Sequence, residues 1–445
     1  MAKTNLRDCL FSFILRNTFW INDFFNGSKI RQQYINIRNI HSKRSNNWEA
    51  LRNAALYNIL HHAVSNTIFY KDINPDSLQN FPVVDKQTLI DNYSDNIVSG
   101  NLLPWQKGNY VIQRTSGSTG TPFSVPMDSR KRQRRIGELK YFGEIVGFNS
   151  HDKLMQLRIW SKWQKKSKSQ QIHENIIAWD ISDSSDNNLY KLYETLKKVR
   201  CTAIRGYASS LDILAKFVKN TGLSKLPYLK IAIAGSETLY DDTKQLVKEY
   251  LGCDIISQYA NEENGILAQQ TLDRRLEDGF ELNNSSYFFE VLKMNSDEPA
   301  EFGELGRIVV TDLYNYAFPM IRYANGDCGI LNKTDTGEIY LSKIYGRVMD
   351  LVYNTKGDVV SPMTLARILK NIAGIQQWQF IQNSQKLYTI KIIPSPEYTD
   401  LLSSRIKSEI MEYFGSDALL NIEFVSEIPV LKSGKRKSVI CDLHS

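Results

Sequence analysis

The chain has 445 residues, carries 55 Lys and Arg against 48 Asp and Glu for a net charge of +7, and is 42% hydrophobic. This composition is that of a soluble globular protein and excludes disorder as the main state, while 12 Pro and 24 Gly exclude a fibrous or low-complexity chain. No apolar run approaches the roughly 20 residues of a membrane-crossing helix, and the mild basic excess lacks the concentrated stripe used on nucleic-acid backbones, so neither a transmembrane segment nor a nucleic-acid partner is expected.

Near the start, Cys9 to Leu15 form a short apolar run followed by Trp20, Phe24 and Phe25. Asp8 precedes the run, Arg16 and Asn17 end it, and no small-residue cleavage site follows, so it fails as a signal peptide. A packed amphipathic helix is favoured over an interfacial anchor. Helical spacing of Leu51, Ala54, Ala55, Leu60 and Ala63 predicts a helix over 48–65, and Phe81 to Lys86 reads as a turn into a short helix capped by Asp85. A helix is expected over 123–146, where the basic run Arg130 to Arg135 reads as a solvated face because no regular aromatic interleaving accompanies it. Alternating units follow: helices over 189–199, 210–220 and 241–251, and strands over 201–204, 229–234 and 254–257. Short apolar strands separated by helices predict an α/β domain with parallel strands and a ligand at the strand ends. Beyond residue 284 the texture changes to strands and turns at 287–293, 306–310, 329–331 and 338–341, and a small α+β unit is expected after Gly346-Arg347. Cys9, Cys201, Cys253, Cys328 and Cys441 lie far apart with no Cys-x-x-Cys pair, which fits a reducing, cytoplasmic setting. The six histidines show no metal-ligand spacing.

The strongest local signal is Arg114-Thr115-Ser116-Gly117-Ser118-Thr119-Gly120-Thr121-Pro122, which follows the apolar pair Val111-Ile112. Two glycines let the backbone approach a polyanion, and three hydroxyls add donors, so the loop can wrap phosphate oxygens as a nest does. The Gly-Lys-Ser/Thr of a Walker loop is missing. A flexible linker is the plain alternative.

Thr-Ser-Gly-Ser-Thr-Gly-x-Pro resembles the phosphate-binding signature of the adenylate-forming enzymes, which include acyl-CoA synthetases, luciferases and peptide-synthetase adenylation domains. Five further motifs of that family follow in its order: Gly235-Ser236-Glu237, Tyr259-Ala260-Asn261-Glu262-Glu263, Arg322-Tyr323-Ala324-Asn325-Gly326-Asp327, Gly346-Arg347 and Ser433-Gly434-Lys435. The wording is most similar to the phenylacetate-CoA ligase branch and to CapK-type capsular-polysaccharide adenylating proteins, through Phe69-Tyr70, Phe81-Pro82-Val83, Gly206 to Leu211, Leu226 to Lys230 and Pro319 to Tyr323. The resemblance covers about residues 50–445.

It implies a large N-terminal domain of stacked mixed sheets wrapped by helices, 1–346, with 1–50 as a helical extension, and a small mobile α+β domain, 347–445. It also implies that ATP with Mg²⁺ activates a carboxylic acid to an acyl adenylate and pyrophosphate. The acyl group then passes to CoA, a carrier-protein thiol or an amino sugar, in a surface-polysaccharide setting. By the same resemblance, Thr115, Ser116, Gly117, Ser118, Thr119 and Gly120 bind phosphates, and Gly235, Ser236, Glu237 and Tyr259 line the adenine. Glu263, favoured over adjacent Glu262, holds the metal, a role suited to a hard carboxylate. Asp327 accepts the ribose hydroxyls, Arg347 offers its fork to phosphate or ribose oxygens, and Lys435 swings in to bridge carboxylate and α-phosphate. At the hinge, Met349 stands where relatives carry the first of two aspartates, which puts acyl transfer in more doubt than adenylation. No counterpart of the α-amino-binding aspartate stands near Arg205 to Ser209, so an α-amino acid is disfavoured. A homodimer, and a placement peripheral to the inner face of a membrane, are analogies. The rival reading is a non-catalytic nucleotide-binding or scaffold protein.

Overall fold

The computed structural model describes residues 6–42, 48–96, 111–114, 123–160, 166–273, 275–347, 352–357, 359–360, 365, 368–369, 372, 374–429 and 438–443. The chain divides into two compact units, Met1–Asn325 with Ile330–Lys343, and Gly326–Gly329 with Ile344–Ser445.

The first unit opens with three helices, α1 (Leu6–Phe25), α2 (Lys29–His41) and α3 (Trp48–Asn66), and two short ones, α4 (Lys86–Asp91) and α5 (Tyr93–Asn96). Asp85 caps α4 as expected, its carboxylate accepting the Thr88 N–H at 2.7 Å. A two-stranded hairpin follows, β1 (Val111–Arg114) antiparallel to β2 (Ser124–Met127), and then α6 (Ser129–Glu144). The helix expected over 123–146 therefore begins six residues later than predicted: Phe123, Val125 and Met127 are buried in or beside a strand, and Asp128 starts α6 by accepting the Lys131 N–H at 2.8 Å.

The winding section reads β3 (Leu154–Arg158), α7 (Lys168–Glu174), β4 (Ile176–Asp180), α8 (Asp186–Val199), β5 (Ala203–Tyr207), α9 (Ala208–Thr221), β6 (Ile231–Gly235), α10 (Asp241–Leu246), a π turn over Val247–Leu251, and β7 (Asp254–Asn261). Next come β8 (Gly265–Gln270), β9 (Phe280–Leu282), β10 (Tyr287–Leu292), β11 (Leu305–Asp312), β12 (Tyr323–Lys333) and β13 (Ile339–Arg347). One mixed sheet of eleven strands results, in the order β10-β11-β12-β13-β9-β8-β7-β6-β5-β3-β4. Strands β4, β3, β5, β6 and β7 pair in parallel, whereas β7–β8, β8–β9, β9–β13 and β10–β11 are antiparallel. Burial of Ile204, Ala232, Ala234, Leu192, Leu211 and Leu214 fills the layer between the parallel strands and α8 and α9. This packing is why runs rich in Ile and Ala became central strands.

The second unit holds β14 (Val352–Tyr353), β15 (Val359–Val360), β16 (Ile375–Gln382), β17 (Leu387–Pro394), α11 (Asp400–Phe414), β18 (Leu419–Phe424) and β19 (Val439–Cys441). Its sheet runs β18-β17-β16-β19, a central antiparallel hairpin flanked by parallel strands. Ile406, Ile410 and Phe414 on one face of α11 bury against Phe380, Tyr388, Ile390 and Ile392. Gln382 fastens the small β14–β15 ribbon by donating to the Tyr353 carbonyl at 3.1 Å and accepting the Tyr353 N–H at 2.7 Å.

Candidate active site at the parallel strand ends

In an open parallel sheet the crevice at the carboxyl ends of the strands receives the ligand. Here those ends present Arg158 on β3, Tyr207 on β5, Gly235 on β6 and Tyr259 with Asn261 on β7. Ser236, immediately after β6, takes a left-handed φ of 65°. Glu237 then turns back: its Oε2 accepts the Ser209 N–H at 2.8 Å in the first turn of α9, where a carboxylate is favoured by the helix dipole. The other oxygen, Oε1, is buried without a hydrogen-bond partner among the described residues. The Gly235-Ser236-Glu237 turn thus combines a scaffold role with an open acceptor.

The pairing of β7 with β8 slips by one residue between Tyr259 and Ala260, and such a bulge re-aims side chains next to functional sites. The turn that follows is closed by Asn261, whose side-chain oxygen accepts the Asn264 N–H at 2.8 Å. It separates the two neighbouring acids. Glu262 is half-exposed; it accepts Gln113 Nε2 at 2.7 Å and pairs with Arg158 at 3.1 Å. Glu263 points inward and is buried, and its Oε1 accepts the Tyr323 hydroxyl at 3.1 Å. The Asn325 side chain donates to the Tyr259 hydroxyl at 2.7 Å. Two sequence motifs far apart in the chain are therefore joined through Tyr323–Glu263 and Asn325–Tyr259.

Gln113 lies on β1, and Arg114 stands opposite Ser124 on β2, so both ends of the segment 115–122 are held together beside the Glu262–Glu263 turn. Thr115, Ser116, Gly117, Ser118, Thr119 and Gly120 themselves lie outside the described residues, as do Lys435 and Met349. Asp327 sits half-exposed on β12, in the stretch belonging to the second unit. Arg347 is the last residue of β13, and its side chain is outside the described set.

The basic run on α6 is not a solvated face. Arg130 and Arg132 are exposed, but Lys131 and Arg134 are fully buried, with Glu138 one turn further on. The spacing 131, 134, 138 is a core stripe written in charged residues. Lys131 Nζ lies 2.6 Å from Asp312 and donates to the Tyr287 hydroxyl at 2.9 Å, and that hydroxyl donates to the Asn264 carbonyl at 2.6 Å. Arg134 donates to Ser286 Oγ at 2.9 Å, to the Ser285 carbonyl, and to Gln33 and Asn36 on α2. Burial pushes the Glu138 carboxyl above the usual carboxylate range, against the pull of Lys131 and Arg134. Gly265, at φ 120°, passes so near that a Cβ would lie 3.1 Å from Glu138 Oε2. Arg135 adds a bond to the Glu262 carbonyl at 3.0 Å. The buried cations clamp the turn that carries Glu262 and Glu263.

Arg322, part of the expected nucleotide motif, faces away from a nucleotide role. It adopts φ 48°, and its guanidinium grips both oxygens of Glu290 at 3.1–3.2 Å and the Phe81 carbonyl at 3.1 Å. These contacts tie Phe81-Pro82-Val83 to the motif, and Val84 bridges to Tyr323 and holds the start of β12. Sequence reading missed Arg158, Gln113, Tyr323 and Asn325 as site-building groups. Only Tyr323 and Asn325 carried a signal, as unassigned members of a motif already singled out.

No cluster of three or more His, Cys, Asp or Glu side chains among the described residues could hold a metal by itself. One buried carboxylate, Glu263, fits a Mg²⁺ that arrives on a nucleotide and keeps phosphate and water ligands.

The model of the CapK C-terminal domain matches residues 352–442. Over 388 residues, 84% of this chain and 82% of the relative, the sequence is 22% identical to Protein CapK of Staphylococcus aureus. The fold is similar to 2-hydroxyisobutyryl-CoA ligase in the postadenylation state with R3-HIB-AMP. The TM-score is 0.70 at 16% identity, over 88% of this chain and 89% of that one. It is also similar to the anthranilate CoA ligase AuaEII in complex with anthranoyl-AMP, at a TM-score of 0.56 and 18% identity, over 73% of this chain and 65% of that one. The chain shares the fold of these CoA ligases, its residues 352–442 match the CapK C-terminal domain, and its sequence is similar to that of Protein CapK.

Proposed function

We propose that the chain is a phenylacetate-CoA ligase-like, AMP-forming enzyme of surface-polysaccharide biosynthesis, working in the cytoplasm. A carboxylate oxygen of the substrate attacks the α-phosphorus of ATP; the bond from that phosphorus to the β-phosphate bridge breaks, and pyrophosphate leaves. A thiol of CoA or a carrier protein, or an amine of an amino sugar, then attacks the acyl carbon, loses its proton and releases AMP. The single observation that carries the reading is the meeting of buried Glu263, its Tyr323 partner and the base of the 115–122 loop at the parallel strand ends.

Within this reading Glu263 would hold a Mg²⁺ ion, which would supply charge neutralisation for the phosphate oxygens. The loop Thr115 to Gly120 encloses the phosphates, Gly235, Ser236 and Tyr259 flank the adenine, and Glu237 offers its open oxygen. Asp327 receives the ribose, and Arg347 and Lys435 approach from a lid domain, 347–445, that moves between the two half-reactions. The joint presence of Glu263, Asp327, Arg347 and Lys435 in one sequence favours turnover over a binding-only protein.

ATP–pyrophosphate exchange across a panel of carboxylic acids tests the proposal. Exchange with at least one acid is expected. Glu263→Gln should slow it by roughly a hundredfold, the scale of losing one transition-state electrostatic group. Lys435→Ala should abolish it while leaving nucleotide binding within a few-fold. Nucleotide binding without exchange for any acid would sink the enzyme reading in favour of the non-catalytic one.

A further inference from the structure

Helix α1 has two unlike faces. Its inner face is docked on the first unit: Ser12 accepts from Asn175, Arg16 donates to the Ser150 carbonyl at 2.7 Å and pairs with Asp152 at 2.8 Å, and Phe19 lies 5.2 Å from the His151 ring. Asp23 fixes the turn into α2 by accepting the Ile30 and Arg31 N–H groups. At about 100° per residue, the opposite arc of roughly 120° carries Leu10, Phe13, Ile14, Ile21, Phe24 and Phe25, with Asn17 among them and Arg7 at its edge. These six are 50–80% exposed. The docking contacts fix which face looks outward, so the apolar stripe is held in solvent by the fold.

Charge accompanies it. Residues 1–47 contain Lys3, Arg7, Arg16, Lys29, Arg31, Arg38, Lys43 and Arg44 against Asp8 and Asp23, so eight cations and two anions leave +6 of the chain's +7 here. Lys29, Arg31 and Arg38 are exposed on α2, and Lys29 follows Phe25 after a three-residue turn. An apolar helix face rich in Phe and Leu with cations beside it is the pattern of a helix lying in the plane of an anionic bilayer surface. No helix among the described residues is long and apolar enough to cross a membrane. A second copy of this chain on the stripe would set two clusters of +6 against each other, which disfavours a dimer contact.

We propose that α1 is an interfacial helix that seats the chain on an anionic lipid surface. Flotation of the full chain tests this with vesicles of phosphatidylcholine alone and of phosphatidylcholine with phosphatidylglycerol. The expected result is flotation with the anionic vesicles and little with the neutral ones. The variant Phe13→Ser/Ile21→Ser/Phe24→Ser, whose changed side chains are all solvent-exposed, should keep the wild-type Tm and lose at least tenfold in vesicle partitioning. Lys29→Glu/Arg38→Glu should erase the preference for anionic vesicles. Equal flotation of the triple variant and the parent, or no flotation of the parent with anionic vesicles, would overturn the proposal. So would a parent that sediments as a dimer and a triple variant that sediments as a monomer with vesicle behaviour unchanged, for then the stripe belongs to a second copy.

Discussion

Lys131 shows how much a single side chain carries here. Its ammonium is sealed between Asp312 and the Tyr287 hydroxyl, and Tyr287 in turn holds the turn bearing Glu263. Removing one partner of a buried ion pair leaves an uncompensated charge and costs about 3–5 kcal/mol, whereas replacing both with apolar groups can be nearly neutral. Lys131→Met should therefore lower stability in urea by about that amount, and Lys131→Met/Asp312→Asn, which removes the second charge but keeps an oxygen for the Tyr314 and Asn315 N–H groups, should recover most of it. An equal loss in both variants would mean the pair is not the source. Glu263 and Glu262 also differ at this scale: one is an inward carboxylate with a tyrosine partner, the other a half-exposed tie to Arg158 and Gln113. The family spacing from Tyr259 favours Glu263, and the physical difference between the two acids comes from the bulge and the Asn261 turn.

Among elements, α1 rests on a seat that titrates. His151 sits at φ 61° under Phe19, and burial first, then Lys140 and Arg16, push its imidazole down to about 4. Burial and Arg16 also lower Lys140, to about 8. An unfolded histidine titrates near 6.5, so the stability tied to neutral His151 is complete above that value and drains away as pH falls toward 4. Tm should accordingly drop over this window, and His151→Asn, which tolerates the left-handed backbone, should flatten that part of the profile. An unchanged slope would remove His151 from the explanation. Elements were legible in the sequence where apolar residues did the packing, as in α3, α8, α9, β6 and β7. They were not legible where charged residues did it: the stripe Lys131, Arg134 and Glu138 looks solvated to any hydrophobicity pattern. Strands β3 and β4 went unread because Leu154-Met-Gln-Leu-Arg and Ile176-Ile-Ala-Trp-Asp are short and end in charges. The contacts Tyr323–Glu263 and Gln113–Glu262 span 60 and 149 positions, a separation that periodicity does not encode.

Across the whole molecule, two compact units, each with a large hydrophobic cluster of its own among the described residues, imply two cooperative units. The smaller core gathers Phe380, Tyr388 and Phe414, with ring centroids 4.9–5.6 Å apart. Phe380→Ala should destabilise that unit by about 3–5 kcal/mol. In calorimetry one transition should move to lower temperature while the other stays. A single transition shifting as a whole would show that the units melt together. The buried clamp has a further consequence, for the order of assembly. Lys131 reaches its tyrosine across 156 positions and Arg134 reaches Ser286 across 152. Contacts that must first close so long a loop form late, after local helices and hairpins have nucleated. A chain leaving the ribosome thus carries the Glu262–Glu263 turn for dozens of residues before Tyr287 and Asp312, which complete its clamp, exist, and Glu263 gains its tyrosine partner only once synthesis has passed Tyr323.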